Sequence, residues 1–172
     1  MPMWLRKILT TFAEQKEGWP NDHRSLIAQV ARAAGSSPGS LCCAAQSRYL
    51  PHGGRDELWL TLSQNENTVT RVRTPYNSGS HDVRRPVHTA RKLSAQEAEA
   101  VRHDLDSLGI WFLPPYKAPS FDGWVCAVAI ADGERLHSIQ MHNPHHDPPG
   151  AHAALAHYLF ALAPLPNELS AK

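Results

Sequence analysis

The feature that most constrains this chain is the dipeptide Asp132-Gly133, set between two apolar runs, GWVCAVAI (123–130) and ERLHSIQMH (134–142). Asp-Gly is among the strongest short-range hairpin signals, because glycine reaches the positive φ of a tight turn without a Cβ clash. A second hairpin lies upstream. ELWLTLS (57–63) alternates Leu58, Leu60 and Leu62 on one face with Trp59 and Thr61 on the other, QNEN turns the chain, and TVTRVRT (68–74) returns. RRPVHTARK adds a strand that Pro86, lacking an N–H, confines to a sheet edge. IWFLPP (110–115) reads as a short strand ended by Pro114 and Pro115.

Helical periodicity fills most of the remainder. Trp4, Leu5, Ile8, Leu9 and Phe12 make one apolar face over residues 3–15. A second helix follows GWPND, with Asp22 as its cap, Leu26, Ile27, Val30 and Ala31 as its buried face, and Gly35 as its end. LSAQEAEAVRHDLDSLG carries the best-marked helix. Ser94 and Glu97 have capping-box spacing, Ala98, Val101, Leu105 and Leu108 form the stripe, and Gly109 stops it. GAHAALAHYLFALA closes the chain as a helix with Ala154, Leu155, Tyr158, Leu159 and Leu162 inward. The stretch LCCAAQ has no readable period and its state stays open; PHGGRD and PYNSGSHD read as turn and loop.

These signals predict one α+β domain over 1–172, with a helical part at 1–35 and a sheet-plus-helix core at 57–163. Strands joined by tight turns imply an antiparallel sheet of about five strands, with the N-terminal, central and C-terminal helices packed on one face or end. A chain of 172 residues can bury a core of that size. The formal charge of +1 argues against a generic nucleic-acid binder, which would carry a marked basic excess. No run approaches the roughly 18 to 20 apolar residues of a membrane span, and MPMWLRKILTTFAEQ is too short and polar for a secretory signal, so a cytoplasmic protein is expected. Cys42, Cys43 and Cys126 are odd in number and form no CxxC, which predicts free thiols.

The run HNPHHDPPGAH (142–152) is the one candidate for chemistry. A metal centre would draw on His142, His145, His146 and Asp147, with His152 from the next helix. The spacing H-x2-H-H-x5-H fits no helical or zinc-deaminase ligand pattern, and Asn143-Pro144 and Pro148-Pro149-Gly150 mark a strand-to-helix loop. The histidines are therefore expected in a solvated loop. His152 and His157, about 140° apart on a helix, do not share a face, and His157 is expected at the boundary. His137 reads as half-buried and paired with a backbone group or a carboxylate. No G-x-S-x-G surrounds a serine, nothing local activates Cys42 or Cys43, and GSSPGS lacks the lysine of a phosphate loop.

Residues 71–92 carry Arg71, Arg73, Arg84, Arg85, Arg91 and Lys92 against Asp82 alone. Arg71 and Arg73, two apart on a strand, project from one face with Tyr76 beside them. Such a patch can dock an acidic protein surface, although a solvated sheet face has the same composition.

Trp111, Pro114, Asp122-Gly123-Trp124, the Asp132-Gly133 turn, His137, Pro144 and the closing apolar helix form a further pattern over about 94–163. It resembles small bacterial families of immunity-protein type, whose members neutralise toxins delivered between cells. The resemblance implies a sheet core with Trp111 and Trp124 as core or near-core aromatics, and a protein toxin as partner; it carries over no functional residue. The expected function is therefore non-catalytic binding of a cognate toxin, without cofactor, through Arg71, Arg73, Tyr76, His81, Arg84, Arg85, His142, His145 and His146, on the 75–85 and 142–147 loops. The alternatives are a small metal-dependent hydrolase built on the His142–Asp147 cluster and a basic-patch nucleic-acid binder.

Overall fold

The stretch with no readable period turns out to be the centre of the sheet. In a computed structural model that describes residues 21–36, 39–48, 54–75, 85–117, 124–133, 135–143 and 150–169, Leu41–Arg48 forms strand β1. It pairs antiparallel with β2 (Arg55–Leu62) on one side and with β6 (Val125–Asp132) on the other. Cys42, Cys43, Ala44 and Ala45 are all buried. A strand covered on both faces shows no polar/apolar alternation, so periodicity cannot mark it.

Seven strands run in the order β4-β3-β2-β1-β6-β7-β5. β3 (Asn67–Thr74) and β4 (Val87–Lys92) extend the sheet beyond β2, and β7 (Arg135–His142) pairs with β6. These six strands are antiparallel. The two-residue β5 (Tyr116–Lys117) adds parallel to Met141–His142. Both expected hairpins form: Leu62 pairs with Asn67, and Asp132 pairs with Arg135 across a turn in which Gly133 has φ 59°. β4 occupies the edge that Pro86 predicted.

Helices cover both faces of the sheet, not one face or end. α1 (Asn21–Ser36) lays Leu26, Ile27, Val30 and Ala34 on Cys42, Ala44, Ala129 and Ala131. Small side chains on β1 and β6 let the helix approach the sheet closely. α1 starts at Asn21, one residue before the expected cap Asp22, and runs one residue past Gly35. On the opposite face, α2 (Ala95–Ser107) and α3 (Ala151–Ala161) cover Leu58, Leu60, Leu62, Val69, Val128, Ile130, Ile139 and Met141. The short α4 (Pro166–Leu169) follows. The fold is α+β.

The capping box of α2 is present in full: Glu97 N–H donates to Ser94 Oγ (3.2 Å) and Ser94 N–H to Glu97 Oε2 (2.8 Å). At its other end Gly109, at φ 70°, donates to Asp106 O (2.9 Å), and Ile110 N–H donates to Leu105 O (3.2 Å). This is a Schellman stop, with Ile110 buried over the last turn. Residues 110–112 consequently continue as turn, and the strand expected over 110–115 is absent there. α3 also corrects an expectation. It buries His152, Leu155, Ala156, Leu159 and Phe160, while Ala154 is exposed and Tyr158 and Leu162 are half-buried. An almost wholly apolar helix does not announce which stripe will be inward. The helix expected over 3–15 lies outside the described residues.

Candidate protein-binding surface

The arginines expected to reach outward are committed inward. Arg71 is 4% exposed, because β3 turns it toward Asp56 of β2 and toward the C-terminal segment. Its Nη2 donates to Asp56 Oδ2 (2.5 Å), and Nη1 to Phe160 O (2.9 Å) and Glu168 Oε2 (2.8 Å). The guanidinium also lies over the Phe160 ring, 5.1 Å from its centre. Arg73 completes the network with bonds to both Asp56 oxygens, each 2.7 Å, and to Glu168. Burial alone would raise the Asp56 carboxyl, but the hydrogen bonds and charges of Arg73 and Arg71 outweigh it and hold it below the ordinary range. Burial likewise opposes the ionisation of Glu168, but the Leu165 N–H and Arg71 favour it more strongly and hold its carboxyl below the ordinary range. Arg71 and Arg73 thus tie the sheet to the C-terminal segment. Two arginines two apart on a strand share a face whatever that face meets; nothing local in the sequence reveals that Asp56 and Glu168 meet it.

The histidine run is likewise divided. His142 ends β7 at 8% exposure, and its Nδ1 is buried with no hydrogen-bond partner among the described residues. His152 is buried at the start of α3, with Nε2 2.8 Å from Pro114 O and its ring 5.2 Å from that of Tyr116. Both therefore depart from the solvated-loop expectation. His137 is half-buried with Nε2 3.0 Å from Leu113 O, the backbone pairing expected of it. A carbonyl only accepts, so Nε2 carries the proton in both His137 and His152. His157 is exposed, its ring 5.7 Å from that of Trp124. His145, His146, Asp147, Tyr76, His81 and Arg84 lie outside the described residues. No three His, Cys, Asp or Glu side chains converge as metal ligands among the described residues.

His137 and His152 hold the segment 110–115, where a strand is expected. After the Schellman stop, Phe112 N–H and Leu113 N–H both donate to Gly109 O (2.9 and 3.1 Å). Ile110 points into the core and Trp111 lies half-buried on its rim. Trp111 Nε1 donates to Asp106 (2.9 Å), and the Arg135 guanidinium stacks 4.2 Å from the centre of a Trp111 ring. Leu113 and Pro114 are pinned through their carbonyls by His137 and His152. Between these fixed neighbours, Phe112 is 87% exposed. The Gly109 stop was legible in sequence. That Phe112 would face solvent was not, since IWFLPP carries equal apolarity at every position.

The other edge of the sheet presents a different surface. β4 has Val87, His88, Ala90, Arg91 and Lys92 exposed and Thr89 half-buried, with Arg85 exposed just before it. Of the residues expected to bind a partner, Arg85 alone among the described ones is exposed. Arg91 pairs with Glu97 of α2. Trp124, as the resemblance implied, is buried: its indole N–H donates to Ser47 Oγ, and its carbonyl accepts from Asn143 N–H (2.7 Å).

No protein-family model and no curated protein matches the chain. Among the described residues, no helix is long and apolar enough to cross a membrane.

Proposed function

We propose that this is a non-catalytic binding protein of immunity-protein type, which neutralises a partner toxin by direct contact. One observation carries the reading: a phenylalanine displayed at 87% exposure on a turn whose two flanks are fixed by five separate contacts. A large apolar side chain held in water is unfavourable in the free protein, and its rigid presentation removes the ordering cost on binding. Aromatic side chains bury about 150 to 250 Å2, so at about 25 cal/mol per Å2 a pocket closing over Phe112 gains about 4 kcal/mol or more. Buried aromatics of this kind dominate protein interfaces. Arg135 and the exposed Pro114 and Pro115 supply a polar and semi-rigid rim.

Co-expression with a candidate toxin from the neighbouring gene tests the proposal. Growth restored by the wild-type protein, and lost with Phe112→Ala, is the expected result. Removing the ring, while Ala keeps part of the contact, is expected to weaken toxin binding at least about thirtyfold, the equivalent of about 2 kcal/mol, while leaving the far-UV and near-UV spectra unchanged. Growth no better than with toxin alone overturns it.

A further inference from the structure

We infer that β4 is a second docking site, and that its occupant is an acidic, extended segment of a protein partner, added to the sheet as an eighth strand. Its argument is separate from that for Phe112, which lies toward the opposite edge, beside β7. β4 is bonded on one side to β3 over six residues, Thr68↔Lys92 through Arg73↔Val87. It ends the sheet, and no other described strand lies against it. In an antiparallel ladder alternate residues turn both N–H and C=O away from their partner, so three of the six offer these groups outward. The open edge is about 20 Å long at about 3.3 Å per residue.

Its exposure extends to both faces. Val87, Thr89 and Arg91 stand on the face of Val69 and Arg71, and His88, Ala90 and Lys92 on the face of Thr68 and Val72. Five of these six side chains are exposed, so among the described residues nothing covers an incoming strand on either side. Chemistry then selects the occupant. Arg85, Arg91 and Lys92 line the edge, and among the described residues the one carboxylate bonded to any of them is Glu97 on Arg91. A second copy would bring another positive edge against this one, which is how basic edge strands resist self-pairing. The same charge favours a strand with acidic side chains opposite Arg85 and Lys92 and small or β-branched ones opposite Val87 and Ala90. Pro86 removes the N–H just before the strand and limits backbone pairing to the residues that follow, so Arg85 meets the incoming segment through its side chain alone.

The experiment is a 15N-NMR titration of the full chain with a capped eight-residue peptide that has glutamate at its first and last positions, opposite Arg85 and Lys92, and valine and threonine between them. The control peptide has lysine at each glutamate position. Shifts concentrated on the amides of 87–92, absent with the lysine peptide and weakened by salt, are expected. Arg85→Glu with Lys92→Glu should weaken the acidic peptide about tenfold, since two exposed pairs contribute up to about 1 kcal/mol each. Unmoved β4 amides at millimolar peptide overturn the inference, as do equal shifts with both peptides. Concentration-dependent dimerisation through the same amides overturns it in favour of a second copy. Failure of toxin neutralisation leaves this result unaffected, and failure here leaves the Phe112 proposal standing.

Discussion

Replacing Arg71 with methionine removes the centre of the buried ion network while keeping a long apolar stem. Arg71 and Asp56 have side chains 4% and 2% exposed, so the pair is desolvated and interacts at low effective dielectric. Removing one member of a buried pair costs about 3 to 5 kcal/mol, because the other is left charged and dry. Here Arg73 stays 2.7 Å from Asp56 and still neutralises it, which places the loss near the lower bound, about 3 kcal/mol. Part of that loss comes from the C-terminal segment, since the bonds to Phe160 O and Glu168 disappear as well. For a chain of this length each kcal/mol lowers the melting temperature by about 2 to 4 °C, giving about 6 to 12 °C in all. Urea unfolding followed by tryptophan fluorescence and circular dichroism reads the change as a lower midpoint at constant slope. A double-mutant cycle with Asp56→Asn should return a coupling of at least about 1.5 kcal/mol. A single variant within about 0.5 kcal/mol of the parent, the range of ordinary surface substitutions, would refute the reasoning.

Other outcomes follow from the same structure. Asp56 and Glu168 are held below their ordinary values in the folded state. Their stabilisation is therefore present above the unfolded pKa values of about 3.9 and 4.3 and is lost as pH falls through the lower folded ones. Unfolding free energy measured from pH 6 to pH 2.5 should drop in that window, and less steeply in Arg71→Met; a parallel drop in both would contradict the assignment. Ser94→Ala removes the hydroxyl that accepts from Glu97 N–H and should cost about 1 kcal/mol by chemical denaturation, whereas no loss would deny the cap an energetic role. Cys42, Cys43 and Cys126 are buried, and desolvation, with some help from Asp56, pushes Cys126 up to about 12. Pulse alkylation at pH 8 should label none of the three before unfolding, so rapid labelling of native protein would oppose this packing.

How much of the molecule was readable in its amino acids depends on whether a feature is local. The turn at Gly133, the Ser94/Glu97 box, the Gly109 stop and the Pro86 edge each involve groups within a few residues of one another, and all appear where the sequence placed them. The alternation of Leu58, Leu60 and Leu62 needs only one covered face and was equally plain. β1 was not, because burial on two faces erases the period. The candidate surface was read less well. Arg71, Arg73 and His142 looked available because their neighbours in sequence are polar, yet carboxylates 15 and 97 residues away in the chain, and the strands flanking β7, enclose them.

The α+β class, the two hairpins and the limits of α2 follow from residues close together in the chain, since each rests on backbone geometry or hydrogen bonds closed over short distances. Tertiary structure alone decided which strand is central, which stripe of α3 is inward, and which charged or aromatic groups remain to meet another molecule. Exposure is a difference between what a side chain offers and what the rest of the fold brings against it. Phe112 remains in water because its neighbours on both sides are held down by Asp106, Arg135, His137 and His152, none of them chosen by the apolar run in which it sits.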